Sequence, residues 1–96
     1  MKIDFNKKDG ALNVSLDGRL DTVTAPDLEK FIGENCAAGN SLIIDCKKLA
    51  YVSSAGLRVL LSAQKKMKGA MKLVNVCELV MEVFEITGFI DILVIE

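Results

Sequence analysis

Tyr51-Val52-Ser53-Ser54-Ala55-Gly56-Leu57-Arg58 is the stretch whose reading decides the fold. Before it, Ser41-Leu42-Ile43-Ile44-Asp45 is apolar without alternation, as expected for a strand covered on both faces or nearly so. After it, Leu57, Leu60, Leu61 and Met67 fall on one face of a helix, with Arg58, Ser62, Lys65 and Lys66 on the other. Two serines and a glycine therefore sit where a strand end becomes a helix start. Ser53 takes the N-cap position, and Val52 just before it faces Leu57 as in a hydrophobic staple. Ser54 then falls on the first turn, its side chain outward. Free amide N–H groups and the positive end of the helix dipole favour a phosphate at such a turn, and the hydroxyls offer two points of covalent attachment. A simpler reading competes with this one: serine is a preferred cap, and Ser53 need do nothing more.

Upstream, Ile3 to Asn6 forms a short strand, and Lys7-Lys8-Asp9-Gly10 supplies a turn with a glycine free to take positive φ. Leu12, Val14 and Leu16 alternate with Asn13, Ser15 and Asp17, so one face of the second strand is buried and the other wetter. The two segments make a hairpin. Gly18 to Val23 is a connection in which Arg19 and Asp21 can pair. It leads to Thr24-Ala25-Pro26-Asp27, which has the pattern of a helix start, with Thr24 as N-cap. That helix buries Leu28, Phe31, Ile32 and Cys36 and stops near Gly39.

Downstream, Gly69 ends the central helix and Met71 to Val76 gives another strand. A last helix turns Leu79, Val80, Val83 and Phe84 inward and Glu78, Glu82 and Glu85 outward, with Gly88 as its C-cap. Ile90 to Ile95 reads as a final strand. The order β-β-α-β-α-β-α-β, with short connections after the hairpin, implies one α/β domain over residues 1–96. Its sheet is mixed but mostly parallel, and the alternation in Leu12 to Leu16 puts the helices mainly on one face.

Composition narrows the function. The 96 residues are 51 % hydrophobic with a net charge of −1, enough for one core. No basic run is interleaved with aromatics, which argues against a nucleic-acid surface. No apolar run spans a bilayer, and Met1-Lys2-Ile3-Asp4 lacks a signal peptide's apolar core, so a cytoplasmic location is expected. Cys36, Cys46 and Cys77 are odd in number and lack metal-ligand spacing; they read as small buried hydrophobes, with no metal or cofactor implied. There is no histidine, no P-loop spacing, and only Lys47 and Lys48 lie close enough in sequence to act as a base for either serine. An enzyme is the minority reading.

Three blocks in order then show a resemblance: Leu16-Asp17-Gly18-Arg19-Leu20-Asp21, Leu42-Ile43-Ile44-Asp45 through Leu49 to Leu57, and Phe84-Glu85-Ile86-Thr87-Gly88-Phe89. Together they resemble the STAS domains of the bacterial anti-sigma factor antagonist family. The resemblance implies a non-catalytic partner that, unphosphorylated, binds a serine-kinase anti-sigma factor and frees the sigma factor. The kinase would phosphorylate the serine two residues before the motif glycine, here Ser54, with Ser53 the second candidate. A metal-dependent serine phosphatase would reset it. Asp21, Thr24, Ser53, Gly56 and Arg58 are the implied partner-binding residues. The chain departs from many sporulation-type members in carrying Ser53 for an acidic residue, Ala55 for a second serine, and Cys77-Glu78 for Ser-Pro. Two other roles stay open: a STAS subunit of a stressosome or of a lipid-transport ABC complex, and a small nucleotide-binding protein using the same turn. A transporter appendage is the less favoured setting for so short a chain.

Overall fold

The computed structural model describes residues 1–36 and 40–96. Its elements are β1 (Lys2–Lys8), β2 (Ala11–Leu20), α1 (Ala25–Asn35), β3 (Ser41–Val52), α2 (Ser54–Lys66), β4 (Met71–Val74) and α3 (Glu78–Thr87), followed by a 3-10 turn at Phe89–Asp91. Asp9 and Gly10, both with positive φ (52° and 77°), close the β1–β2 hairpin. Two successive left-handed residues suit the twist of the flanking strands, which explains why Asp-Gly stands there. The sheet order is β1-β2-β3-β4, with β1 antiparallel to β2 and the remaining pairs parallel.

The strands are half-buried. Leu12, Val14 and Leu16 of β2, Leu42, Ile44 and Cys46 of β3, and Met71 and Leu73 of β4 share one core with Leu28 and Ile32 of α1, Leu57 and Leu60 of α2, and Val80 and Phe84 of α3. The three helices thus cover one face of a mixed sheet, as the alternation in β2 implied. Phe31 of α1 is only half-buried; its ring meets Phe5 of β1 edge-on at 4.8 Å, closing the side of the core. Charged Lys2, Asp4, Lys7 and Lys8 keep the free edge of β1 from pairing further. No helix among the described residues is long and apolar enough to cross a membrane.

Several expectations change. β3 is not covered on both faces: Ile43 and Asp45 are half-exposed on the open side, and β3 runs on to Val52. An unbroken apolar run hid its alternation. β2 likewise continues through Gly18 to Leu20, because Gly18 takes φ of 118° at an irregularity that lets the strand keep pairing with β3. β4 ends at Val74, shortened by the positive φ of Asn75.

The final strand, Ile90 to Ile95, is not a strand. Gly88 adopts the left-handed cap (φ 81°), Phe89–Asp91 wind into the 3-10 turn, and only Ile95 bridges to Leu73. Only Leu93 of that run is buried, and the single bridge at Ile95 is too little to hold the short apolar run extended. Leu79 faces outward instead of inward, and Leu61 is half-buried. α1 ends at Asn35; the expected stop near Gly39 lies outside the described residues.

Candidate functional site

The site is made where two parallel strands end side by side. Leu20 is paired with Val52, and one residue further the Ser53 N–H donates to the Leu20 carbonyl oxygen at 2.9 Å. Ser53 leaves the strand extended (φ −95°, ψ 177°) and becomes the N-cap of α2. Its Oγ accepts from the Gly56 N–H at 3.4 Å, and its carbonyl accepts from Leu57 at 2.9 Å, the first bond of the helix. Val52 and Leu57 are both in the core on either side of the cap, as a hydrophobic staple requires.

Ser54 is therefore the first residue of the helix. It is exposed, and among the described residues its hydroxyl makes no hydrogen bond. Ser53 differs on both counts, being half-buried and engaged in the cap. The first turn of α2 carries no acidic side chain, so its amide dipoles are not already neutralised.

Gly56 is buried, and its reason is contact. A Cβ built there would stand 2.7 Å from Leu20 Cγ and 2.8 Å from the Leu20 carbonyl oxygen. The glycine lets the helix start press directly on the end of β2. Gly56 was expected among the partner-binding residues; the structure gives it this internal contact instead of an open face.

The neighbouring wall is the turn after β2. Asp21 Oδ1 accepts from the Val23 and Thr24 amides at 3.0 and 3.1 Å, while the Asp21 N–H donates to Thr24 Oγ1 at 2.8 Å. Thr24 Oγ1 in turn donates to the Arg19 carbonyl at 2.7 Å, with Asp21 Oδ1 3.2 Å away as its other acceptor. These bonds occupy the hydroxyl, so Thr24 does not cap α1 through its side chain as expected. Asp21 organises the helix entry, and its carbonyl accepts the Ala25 N–H at 2.7 Å. The Thr24 backbone amide bond holds the Asp21 carboxyl below its ordinary value of 3.8; desolvation opposes this, and the Thr24 hydroxyl, the Val23 amide and Arg19 add to the lowering. Arg19 Nε lies 3.8 Å from Asp21 Oδ2, the expected pair, and its guanidinium lies over the Tyr51 ring at 4.3 Å. Beyond these, Thr22, Ala25, Pro26, Glu29, Ala55 and Arg58 line an open groove of about 490 Å³ between α1 and α2.

Lys47 and Lys48, the lysines nearest the serines in sequence, do not face Ser54. They line a shallow depression with Lys2, Asp4, Ser15 and Asp17. The geometry offers an accessible acceptor hydroxyl on a rigid ledge. The two lysines weighed as bases lie in that other depression.

The family model for the STAS domain matches residues 2–96. The chain belongs to the STAS domain family. BtrV of Bordetella bronchiseptica, provisionally named an anti-sigma factor antagonist, is 38 % identical over 96 residues, covering 96 % of this chain and 83 % of BtrV. The anti-sigma-B factor antagonist of Bacillus subtilis is 31 % identical, covering 97 % of this chain and 88 % of that protein. Among solved structures, an anti-sigma factor antagonist from Mycobacterium paratuberculosis superposes with a TM-score of 0.87 at 27 % identity, covering 98 % of this chain and 83 % of that one.

In this STAS domain the sequence-selected residues Asp21, Thr24, Ser53, Ser54 and Gly56 gather around the paired ends of β2 and β3, and Arg58 stands exposed one turn further along α2. Two features escaped sequence reasoning. The stacking of Arg19 on Tyr51 needs the β2–β3 register, in which those two residues pair. The Asp21 turn was signalled by Asp-x-x-Thr, a spacing that suits a local side-chain turn as well as a helix cap.

Proposed function

We propose that this STAS domain is an anti-sigma factor antagonist controlled by phosphorylation of Ser54. Unphosphorylated, it docks on a serine-kinase anti-sigma factor and so frees a sigma factor. The kinase then transfers the γ-phosphoryl of ATP: the Ser54 Oγ–P bond forms, the bond to the β-phosphate oxygen breaks, ADP leaves, and the hydroxyl proton passes to a base of the kinase. A metal-dependent serine phosphatase hydrolyses the ester and resets the domain. The observation that carries this reading is the Ser54 hydroxyl itself, exposed on the first residue of α2 and, among the described residues, without a hydrogen-bond partner. The names borne by the two relatives support the antagonist role.

Ser54 is preferred to Ser53 on energetic grounds. A phosphoryl group on Ser53 would take the oxygen that accepts from Gly56, in a half-buried position. On Ser54 it adds about −1.5 to −2 charges and three acceptors beside the positive end of the helix, with no native bond to break. The fold then tolerates the ester while a partner covering the same turn meets a desolvated dianion. Asp21, Thr24, Ser53 and Arg58 border that docking surface, with Gly56 setting its shape.

The test is incubation with ATP and the candidate kinase, then mass spectrometry of the chain and binding measurements on Ser54→Asp and Ser54→Ala. Phosphate on Ser54, with at least roughly tenfold weaker kinase binding by the aspartate variant, supports the reading. Phosphate elsewhere, or none together with stable co-purification with ABC-transporter or stressosome subunits, overturns it. Saturable nucleotide binding by the isolated chain would also count against it.

A further inference from the structure

The charges of this chain are unevenly placed. Residues 73–96 hold five carboxylates and no lysine or arginine, while all twelve cations lie in residues 1–72 beside eight carboxylates. Glu96 pairs with Lys72 at 3.1 Å, and Glu78, Glu82, Glu85 and Asp91 form no ion pair among the described residues. Among the described residues the same segment carries five of the seven exposed large hydrophobic side chains, with Ile86 78 % and Leu79 55 % exposed.

On α3 these two properties form adjacent stripes. Val80 and Phe84 bury into the core; Leu79, Val83 and Ile86, at i, i+4 and i+7, flank them; Glu78, Glu82 and Glu85 follow at the same spacing on the outer side. Ile90, Ile92 and Val94 extend the apolar exposure past Gly88. No residue of this segment lines the α1–α2 groove or bonds to the Ser53–Gly56 turn. It is a second surface, independent of the Ser54 reading.

We propose that the outer face of α3 and the terminal segment is a docking site for a cationic amphipathic helix of a partner protein. Apolar residues of that helix cover Leu79, Val83 and Ile86, and its lysines or arginines meet Glu78, Glu82 and Glu85. A second copy of the chain fits poorly. Two α3 faces packed on each other would bring their glutamate rows together, and like charges across an interface are strongly unfavourable. The complementary occupant is basic, and this segment has no basic residue to offer itself.

The test is a titration of the ¹⁵N-labelled full chain with a model helix of roughly 18 residues built from leucine and lysine in amphipathic order. Its counterpart with glutamate for lysine is the control. Amide shifts confined to residues 78–94, weakened by salt and absent with the glutamate peptide, are expected. Affinity should fall roughly tenfold in Glu82→Lys/Glu85→Lys and again in Ile86→Ser, all exposed positions whose change leaves the core intact. Ser54→Ala should bind the peptide like the parent chain, so failure of the phosphorylation reading leaves this result untouched. Shifts centred on the Ser54 turn, equal response to both peptides, no response, or a doubled mass of the peptide-free chain in sedimentation would each overturn the proposal.

Discussion

Gly56→Ala sets two known effects against each other. In a helix interior alanine is favoured over glycine by about 1 kcal/mol, and φ at Gly56 is not in the left-handed region, so backbone preference alone predicts a gain. Contact predicts the reverse. The new Cβ would stand 2.7 Å from Leu20 Cγ, 3.1 Å from its Cδ2 and 2.8 Å from its carbonyl oxygen. The leucine side chain can rotate away only into a filled core, since Leu20 is fully buried. The carbonyl is held by the Ser53 N–H and by the pairing of Leu20 with Val52. Overpacking of this kind costs about 1–3 kcal/mol, and pulling Ser53 off the carbonyl adds about 1 kcal/mol. The net expectation is a loss of about 1–3 kcal/mol, each kcal/mol lowering the melting temperature by about 4–8 °C in a domain of this size. Urea unfolding followed by circular dichroism measures it directly. A variant as stable as the parent, or more so, would show that helix preference outruns the crowding, and the account of Gly56 as a forced contact would be wrong.

Ser53→Ala should lose about 0.5–1 kcal/mol in the same urea assay, at the low end for a cap because the Oγ to Gly56 N distance is 3.4 Å. For Asp21→Asn the pH profile is the readout. A carboxyl held below its ordinary value of 3.8 stabilises the fold above that pH and loses the effect as pH falls through the lower, folded value. Parent and variant should therefore differ most near neutral pH and converge in acid; a constant gap would refute the role given to that carboxylate. Burial pushes the Cys46 thiol up to about 12, so iodoacetamide at pH 8 should modify half-buried Cys77 first and reach Cys46 only in denaturant, as peptide mapping would show.

Legibility followed the range of the interactions. The Asp9-Gly10 turn, the Ser53 cap, the exposed first-turn position of Ser54 and the Gly88 stop are local, fixed by residues within four of one another, and each could be read from spacing. Leu12 to Leu16 announced a one-sided sheet because a period of two is unambiguous. Two failures are local, the Thr24 hydroxyl held by Asp21 and Arg19 and the early end of β4 at Asn75; the larger ones involve the rest of the fold. Ile90 to Ile95 reads as a strand on its side chains alone, but β4 offers it a single bridge at Leu73. Leu79 was assigned inward because α3 is apolar on more than the face its core contact needs. Gly56 is the instructive case at the site: its identity was visible, but the reason for it is Leu20, thirty-six residues earlier, and no spacing rule connects them.

The same contact bears on how a switch can work without a moving part. Backbone bonds fix the neighbourhood of Ser54, Ser53 to Leu20 and Leu57 to Ser53, and side-chain-to-backbone bonds hold the Asp21–Thr24 turn beside them. None of these bonds uses the Ser54 side chain. A charge placed on that hydroxyl therefore has little native structure to break, and the helix amides favour it by up to about 1 kcal/mol. Its cost appears where a docked surface would strip the dianion of water, a penalty of several kcal/mol per ion. On the proposed reading the free energy of modification falls on the complex and spares the domain, so a cycle of phosphorylation would return the same folded ledge to the next partner.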